Sequence, residues 1–223
     1  YDYTDANGCS NSTTITINVN AIPVVTFTAI PDQCDNGSLY TLIEGLPVGG
    51  VYTGTGVTDP DFDPVTAGVG PHTLTYTVID GNGCSDFSTQ TVTVNAEPTV
   101  TLTTPGPFCL NDAAVTLTGG LPVGGVYSGI GVVDPDFTPS AAGVGTHTIT
   151  YDLTDVNGCA SAATSDIVVN ALPIVTIDPV ADLCENEAAV TLLGSPTGGT
   201  FTGTGVVGNT FDPSIALNGS HLV

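Results

Sequence analysis

The 223 residues hold 22 acidic side chains and neither lysine nor arginine, for a formal net charge of −22. Such a chain repels phosphate backbones and anionic lipid, which argues against nucleic acid and membrane surfaces as partners; it also lacks the amine that an isopeptide cross-link needs and the sites that trypsin cuts. A hydrophobic content of 41% with 28 glycines and 16 prolines argues against global disorder and for β-structure with many turns.

The strands are best followed from 21 to 95. Val25 and Phe27 alternate with threonines after Pro23, Tyr40 and Leu42 mark a second strand, and residues 50–53 a third short one. A turn-rich stretch around Phe62 and Pro64 crosses back. Residues 72–96 then read as a β-hairpin. Leu74, Tyr76 and Val78 alternate with threonines, the chain reverses at Asp80-Gly81-Asn82-Gly83, and the alternation resumes with Val92 and Val94. Cys84 sits at the exit of the turn.

This plan repeats. The differences 84 − 9, 109 − 34, 159 − 84 and 184 − 109 between cysteine positions are all 75. Asn-Ala-x-Pro recurs at Asn20, Asn95 and Asn170, and GLPVGGVY at 45–52 and 120–127. A one-residue deletion near Ser195 shifts the third copy, where GSPTGGTF replaces that motif. The expected organisation is a C-terminal hairpin of a preceding repeat at 1–20, complete repeats at 21–95 and 96–170, and the front part of a further repeat at 171–223. Tyr1 aligns with Tyr151 and Val223 with Ile149, so the window is expected to be cut inside one strand of a longer array, or to join head to tail with copies of itself by strand addition. Six or seven short strands in about 75 residues predict a small all-β sandwich of immunoglobulin-like type, with a β-solenoid as the alternative.

Two cysteines fall in each complete repeat. Intradomain disulfides Cys34–Cys84 and Cys109–Cys159 are expected, with Cys9 and Cys184 pairing across the cut ends; each bridge would contribute about 4 kcal/mol in the chain-entropy model. Reduced buried thiols are the alternative. No close cysteine or histidine pair has zinc spacing. Disulfides imply export. Acids cluster at Asp59, Asp61 and Asp63 and again at Asp134 and Asp136, where hard oxygen ligands on loops could hold calcium; plain turn chemistry is the competing reading, because the third copy has lost two of these acids. No other cofactor is expected. The glycine runs lack phosphate-loop spacing, and His72, His147 and His221 recur at one strand-entry position with no catalytic partner. Asn11, Asn36 and Asn218 open sequons that matter only in a eukaryotic secretory setting. No apolar run reaches the roughly 20 residues of a membrane helix and no signal peptide is visible, so targeting lies outside the window.

TYTVIDGNGCS, its partners YDYTDANGCS and ITYDLTDVNGCA, GGVYTGTGV and the AGVG-x-HT segment together resemble the Ig-like or PKD-like repeats of giant secreted surface proteins of Bacteroidota, including gliding-motility adhesins. The resemblance spans all copies and implies tandem β-sandwich modules, export through the type IX system and display as surface fibres or stalks. The expected function is a non-enzymatic structural segment of an extracellular filament or adhesin stalk, whose partners are neighbouring repeats or head-to-tail copies. The alternative is a multivalent module binding glycan or calcium, with Tyr52, Tyr127 and Phe201 as the few rings able to stack on a sugar.

Overall fold

A computed structural model describes all 223 residues. It is almost entirely β-structure, and no helix is long and apolar enough to cross a membrane. Two compact units divide it: Tyr1–Leu102 with Gly119–Val126 and Thr150–Thr164, and Thr103–Thr118 with Tyr127–Ile149 and Ser165–Val223. These limits do not follow the 75-residue period. The elements do: the hairpin strands Gly70–Ile79 and Ser85–Asn95 return as Gly145–Thr154 and Ala160–Asn170.

In the copy at 21–95, which lies wholly in the first unit, the hairpin is the spine of a four-stranded sheet ordered 33–34, 85–95, 70–79, 51–53. Ile79 pairs with Ser85 across the five-residue turn, and the antiparallel register runs unbroken to Gly70 opposite Val94. The turn is built by an acid. Asp80 Oδ1 accepts from the backbone N–H of Asn82 and of Cys84, both at 2.9 Å, which closes the loop without a cation. The predicted period of two is realised: Leu74, Tyr76 and Val78 are buried on one face, as are Val92 and Val94.

Small sheets cover that face. Thr26–Phe27 pairs with Gly45–Leu46, and Tyr40–Thr41, Asp61–Phe62 and Val57–Thr58 form a three-stranded sheet. Their inward side chains Phe27, Leu42 and Phe62 complete one core with the hairpin, the immunoglobulin-like sandwich expected from the sequence. Besides the two-residue strands Gly45–Leu46, Val57–Thr58 and Asp61–Phe62, two further elements escaped the sequence reading. Gln33–Cys34 adds a two-residue parallel strand beside Val94 and Asn95, and Pro64–Ala67 forms one helical turn whose N-cap is Asp63. Both are too short to show a period.

Tyr76 fixes how the layers meet. Its ring lies 4.5 Å from that of Tyr52, which packs edge-on at 5.4 Å against Phe27. Its hydroxyl donates to the carbonyl of Pro47 at 2.7 Å and accepts from the N–H of Gly50 at 2.8 Å. A Cβ on Gly45 would stand 2.5 Å from the ring, and one on Gly50 2.5 Å from the Thr77 carbonyl, so only glycine lets the loop close over the tyrosine. Tyr151 repeats the clasp with Pro122 and Gly125.

Gly50→Ala should therefore cost about 1–3 kcal/mol in chemical denaturation, since the new methyl meets backbone rather than a mobile side chain. Tyr40 donates to Glu44 Oε1 at 2.6 Å, and this bond to a carboxylate, with lesser help from burial, raises its phenol to about 12. The neutral phenol is the folded state's preferred form, so its contribution is complete below pH 10.0 and lost as pH rises to about 12. Ultraviolet titration should find Tyr40 ionising late, and Glu44→Gln should bring it back toward the ordinary range.

Candidate functional site

The one disulfide present lies where two repeats adjoin. Cys34 is bonded to Cys159 across 125 residues, with the Cα atoms 5.6 Å apart. This corrects the expected Cys34–Cys84 and Cys109–Cys159 pairs. The reason is register: Cys34 sits opposite Asn95, at the far end of the Ser85–Asn95 strand from the turn that carries Cys84. Eleven residues of strand separate them by roughly 35 Å, against the roughly 7 Å limit for bridging cysteines. Cys109 faces Asn170 in the same register. Cys9, Cys84, Cys109 and Cys184 carry no disulfide, and all except the half-buried Cys84 are exposed.

A polar collar surrounds the bond, all of it within the first compact unit. The Asp35 N–H donates to the Asn95 carbonyl at 2.9 Å, and Asp35 Oδ1 accepts from the N–H of Glu97 at 2.8 Å. Asn36 Nδ2 donates both to Glu97 Oε2 at 2.8 Å and to the carbonyl of Ala160 at 2.9 Å, next to the disulfide. The Cys159 side chain is fully buried, its disulfide sulfur 3.9 Å from the Asn95 carbonyl. Every bond either grips residues 95–97, the linker between copies, or ties it to the next copy's turn. Sequence reading saw Asn36 only as a sequon. A stronger signal was there: Cys-x-Asn recurs at Cys34, Cys109 and Cys184.

The expected calcium ligands are dispersed into separate tasks. Asp59 Oδ1 accepts from the Tyr52 N–H and Asp134 Oδ1 from the Tyr127 N–H, each at 2.8 Å; Asp61 and Asp136 each accept from a threonine hydroxyl at 2.7 Å, from Thr41 and Thr116. Asp63 caps the helical turn and is held below the usual carboxylate range, first by the Thr66 hydroxyl and then by the N–H groups of Thr66 and Val65. No group of three or more acids, histidines or cysteines converges in a way that could hold a metal ion. Of the three rings proposed for sugar stacking, Tyr52 and Tyr127 are 7% and 8% exposed, in the cores, and Phe201 is half-buried. Burial pushes the Tyr52 phenol up. His72, His147 and His221 each meet the carbonyl that follows a helical turn, at 2.7, 2.8 and 2.9 Å.

No protein-family model and no curated protein matches this chain. Thirteen solved chains do. One is a Ca2+-stabilized adhesin that helps an Antarctic bacterium reach out and bind ice, with TM-score 0.39 and 16% identity over 91% of this chain. Another is hemolin, an insect immune protein whose domain arrangement has implications for homophilic adhesion, with TM-score 0.31 and 14% identity over 72% of this chain. The chain spans 65% of the first and 49% of the second. Likenesses this loose carry no ligand or activity across.

Non-reducing peptide mapping should recover Cys34 joined to Cys159 and no Cys34–Cys84 pair. Reduction, or Cys34→Ser, should lower stability by up to about 5 kcal/mol in the chain-entropy model for a loop of this length, read as a lower denaturation midpoint.

Proposed function

We propose that this chain is a structural repeat segment of an extracellular filament or adhesin stalk, which carries load and displays an element located elsewhere. The observation that carries the reading is the Cys34–Cys159 bond, because it spans the junction between repeats and is reinforced there by Asn36, Asp35 and Glu97. A bond inside each module would stabilise the module; a bond across the junction keeps consecutive modules together under tension. Chemistry outside the junction is in keeping with this. Turn closure, helix capping and layer closure all use backbone donors, and the net charge of −22 keeps neighbouring strands of a filament apart. The existence of the disulfide fits an oxidising, exported location. The repeat motifs extend the reading to type IX export and to surface fibres of the gliding-adhesin kind.

Stretching the chain by its two ends tests this. In the oxidised chain, pulling force passes through the disulfide and leaves residues 35–158 unloaded, so the extension reached on full unfolding should fall short of the reduced chain's by about 430 Å, at roughly 3.5 Å for each of 125 residues. Equal extension in the two states would defeat the load-bearing reading.

A further inference from the structure

The Cys34–Cys159 bond joins two sulfurs of one chemistry in unequal surroundings. Cys159 is 0% exposed, whereas Cys34 is half-buried. The two backbones account for the difference. Cys159 closes the turn begun by Asp155, whose Oδ1 accepts from the Cys159 N–H at 2.9 Å, and Asn95 and Asn36 of the preceding copy meet that turn at Cys159 and Ala160. Cys34 lies on the edge strand of its sheet, paired on one side with the strand that ends at Asn95 and with no strand on the other.

A cleft of about 520 Å³ reaches the bond from that open side. Asp32, Cys34, Asn36, Tyr40, Asn157 and Ala160 are among the residues of its wall; Cys159 is not. All of them belong to the first compact unit, and the two repeats that build the cleft, 21–95 and 96–170, are both complete. The approach is acidic. Asp32 stands in the wall, Asp35 and Glu97 belong to the collar beside it, and the chain has no lysine or arginine to balance them. Such a field draws cations in and holds anions off.

We propose that Cys34 is a thiol-exchange site, reached through this cleft by small thiols that are cationic or neutral in preference to anionic ones. Exchange opens the junction at Cys34 and leaves Cys159 inside as the sulfur that closes it again. The inference rests on the disulfide and its cleft, and it holds whether or not the chain bears load in a filament.

In the opening step the thiolate of the small thiol attacks the Cys34 sulfur. A new S–S bond joins it to Cys34, the Cys34–Cys159 bond breaks, and the electron pair of that bond leaves on the Cys159 sulfur, which takes up a proton equal to the one the attacking thiol gave to water. No oxidant is consumed. The Cys159 sulfur remains enclosed, 3.9 Å from the Asn95 carbonyl, with no lysine or arginine in the chain to steady a thiolate there. Its outlet is a second attack, on the Cys34 sulfur of the mixed disulfide, which expels the small thiolate and restores the original bond. The external reagent meets Cys34 at every step and Cys159 at none.

The oxidised chain of residues 1–223 tests this after iodoacetamide has blocked Cys9, Cys84, Cys109 and Cys184. It is then exposed to cysteamine, mercaptoethanol or glutathione, which are cationic, neutral and anionic, quenched with acid and mapped without reductant by an Asp-directed protease, since trypsin finds no site. Each rate is divided by the same thiol's rate on a small neutral disulfide. Adducts are expected on Cys34 alone, with cysteamine at least about tenfold faster than glutathione at low salt and the gap narrowing as salt is added. Cys159→Ser and Cys34→Ser, each offered cystamine, supply a second reading: the first should take one adduct at Cys34 and keep it, having no sulfur to expel it, and the second should take none at Cys159. Both variants lack the same bond, so lost stability does not separate them. Adducts on Cys159, no adduct with any thiol, equal labelling of the two variants, or rates indifferent to the charge of the thiol would each overturn the site. The stretching measurement compares the closed and open bond whichever sulfur is attacked, so failure here leaves the load-bearing reading standing.

Discussion

A tyrosine ring held between two glycines governs how each module closes. The Tyr76 side chain contributes its apolar faces to Tyr52 and Gly45, while its hydroxyl satisfies the Pro47 carbonyl and the Gly50 N–H. The long hairpin could otherwise pair with anything that offered an apolar face, since its own hydrogen bonds are complete along ten residue pairs. What selects the native cover is a loop that fits only around this ring. The polar tip sets depth and the glycines set distance, so one side chain specifies the spacing of two layers.

The absence of lysine and arginine shapes the rest. Carboxylates that would be paired with cations in most proteins are paired here with backbone N–H groups: Asp80 and Asp155 close the hairpin turns, Asp63 and Asp212 start helical turns, and Asp59 and Asp134 brace Tyr52 and Tyr127. These bonds are local and short-range, which makes them indifferent to the sign of the neighbouring module. A repeat built this way can be copied many times without new pairing errors between copies, because no cation exists to bond with the wrong acid.

The hairpin, the period and the buried face were legible because each is a pattern over many residues. Leu74, Tyr76, Val78, Val92 and Val94 alternate with threonines, and alternation is what a half-buried strand requires. The cysteine pairing was not legible, because spacing of 50 within a repeat and 125 between repeats are equally compatible with a fixed period. Choosing between them needed the parallel contact of Cys34 with Asn95, which rests on two residues and leaves no periodic trace. The acids left two readings open for a related reason: DPDFDP has the composition of a calcium loop and of plain turns alike, and which way each carboxylate turns depends on Tyr52, Thr41 and Thr66, which come from other elements or sit behind the run.

The bond from Cys34 to Cys159 also changes what it means to break this chain. A protease that cuts any loop between those residues severs one backbone strand but frees neither piece, since the sulfur bridge still connects what lies before residue 34 with what lies after 159. The exposed loop residues Val48 and Val123 are thereby placed inside a covalent ring. Damage there opens the ring and leaves the line intact, a redundancy that an unbranched polypeptide does not otherwise possess.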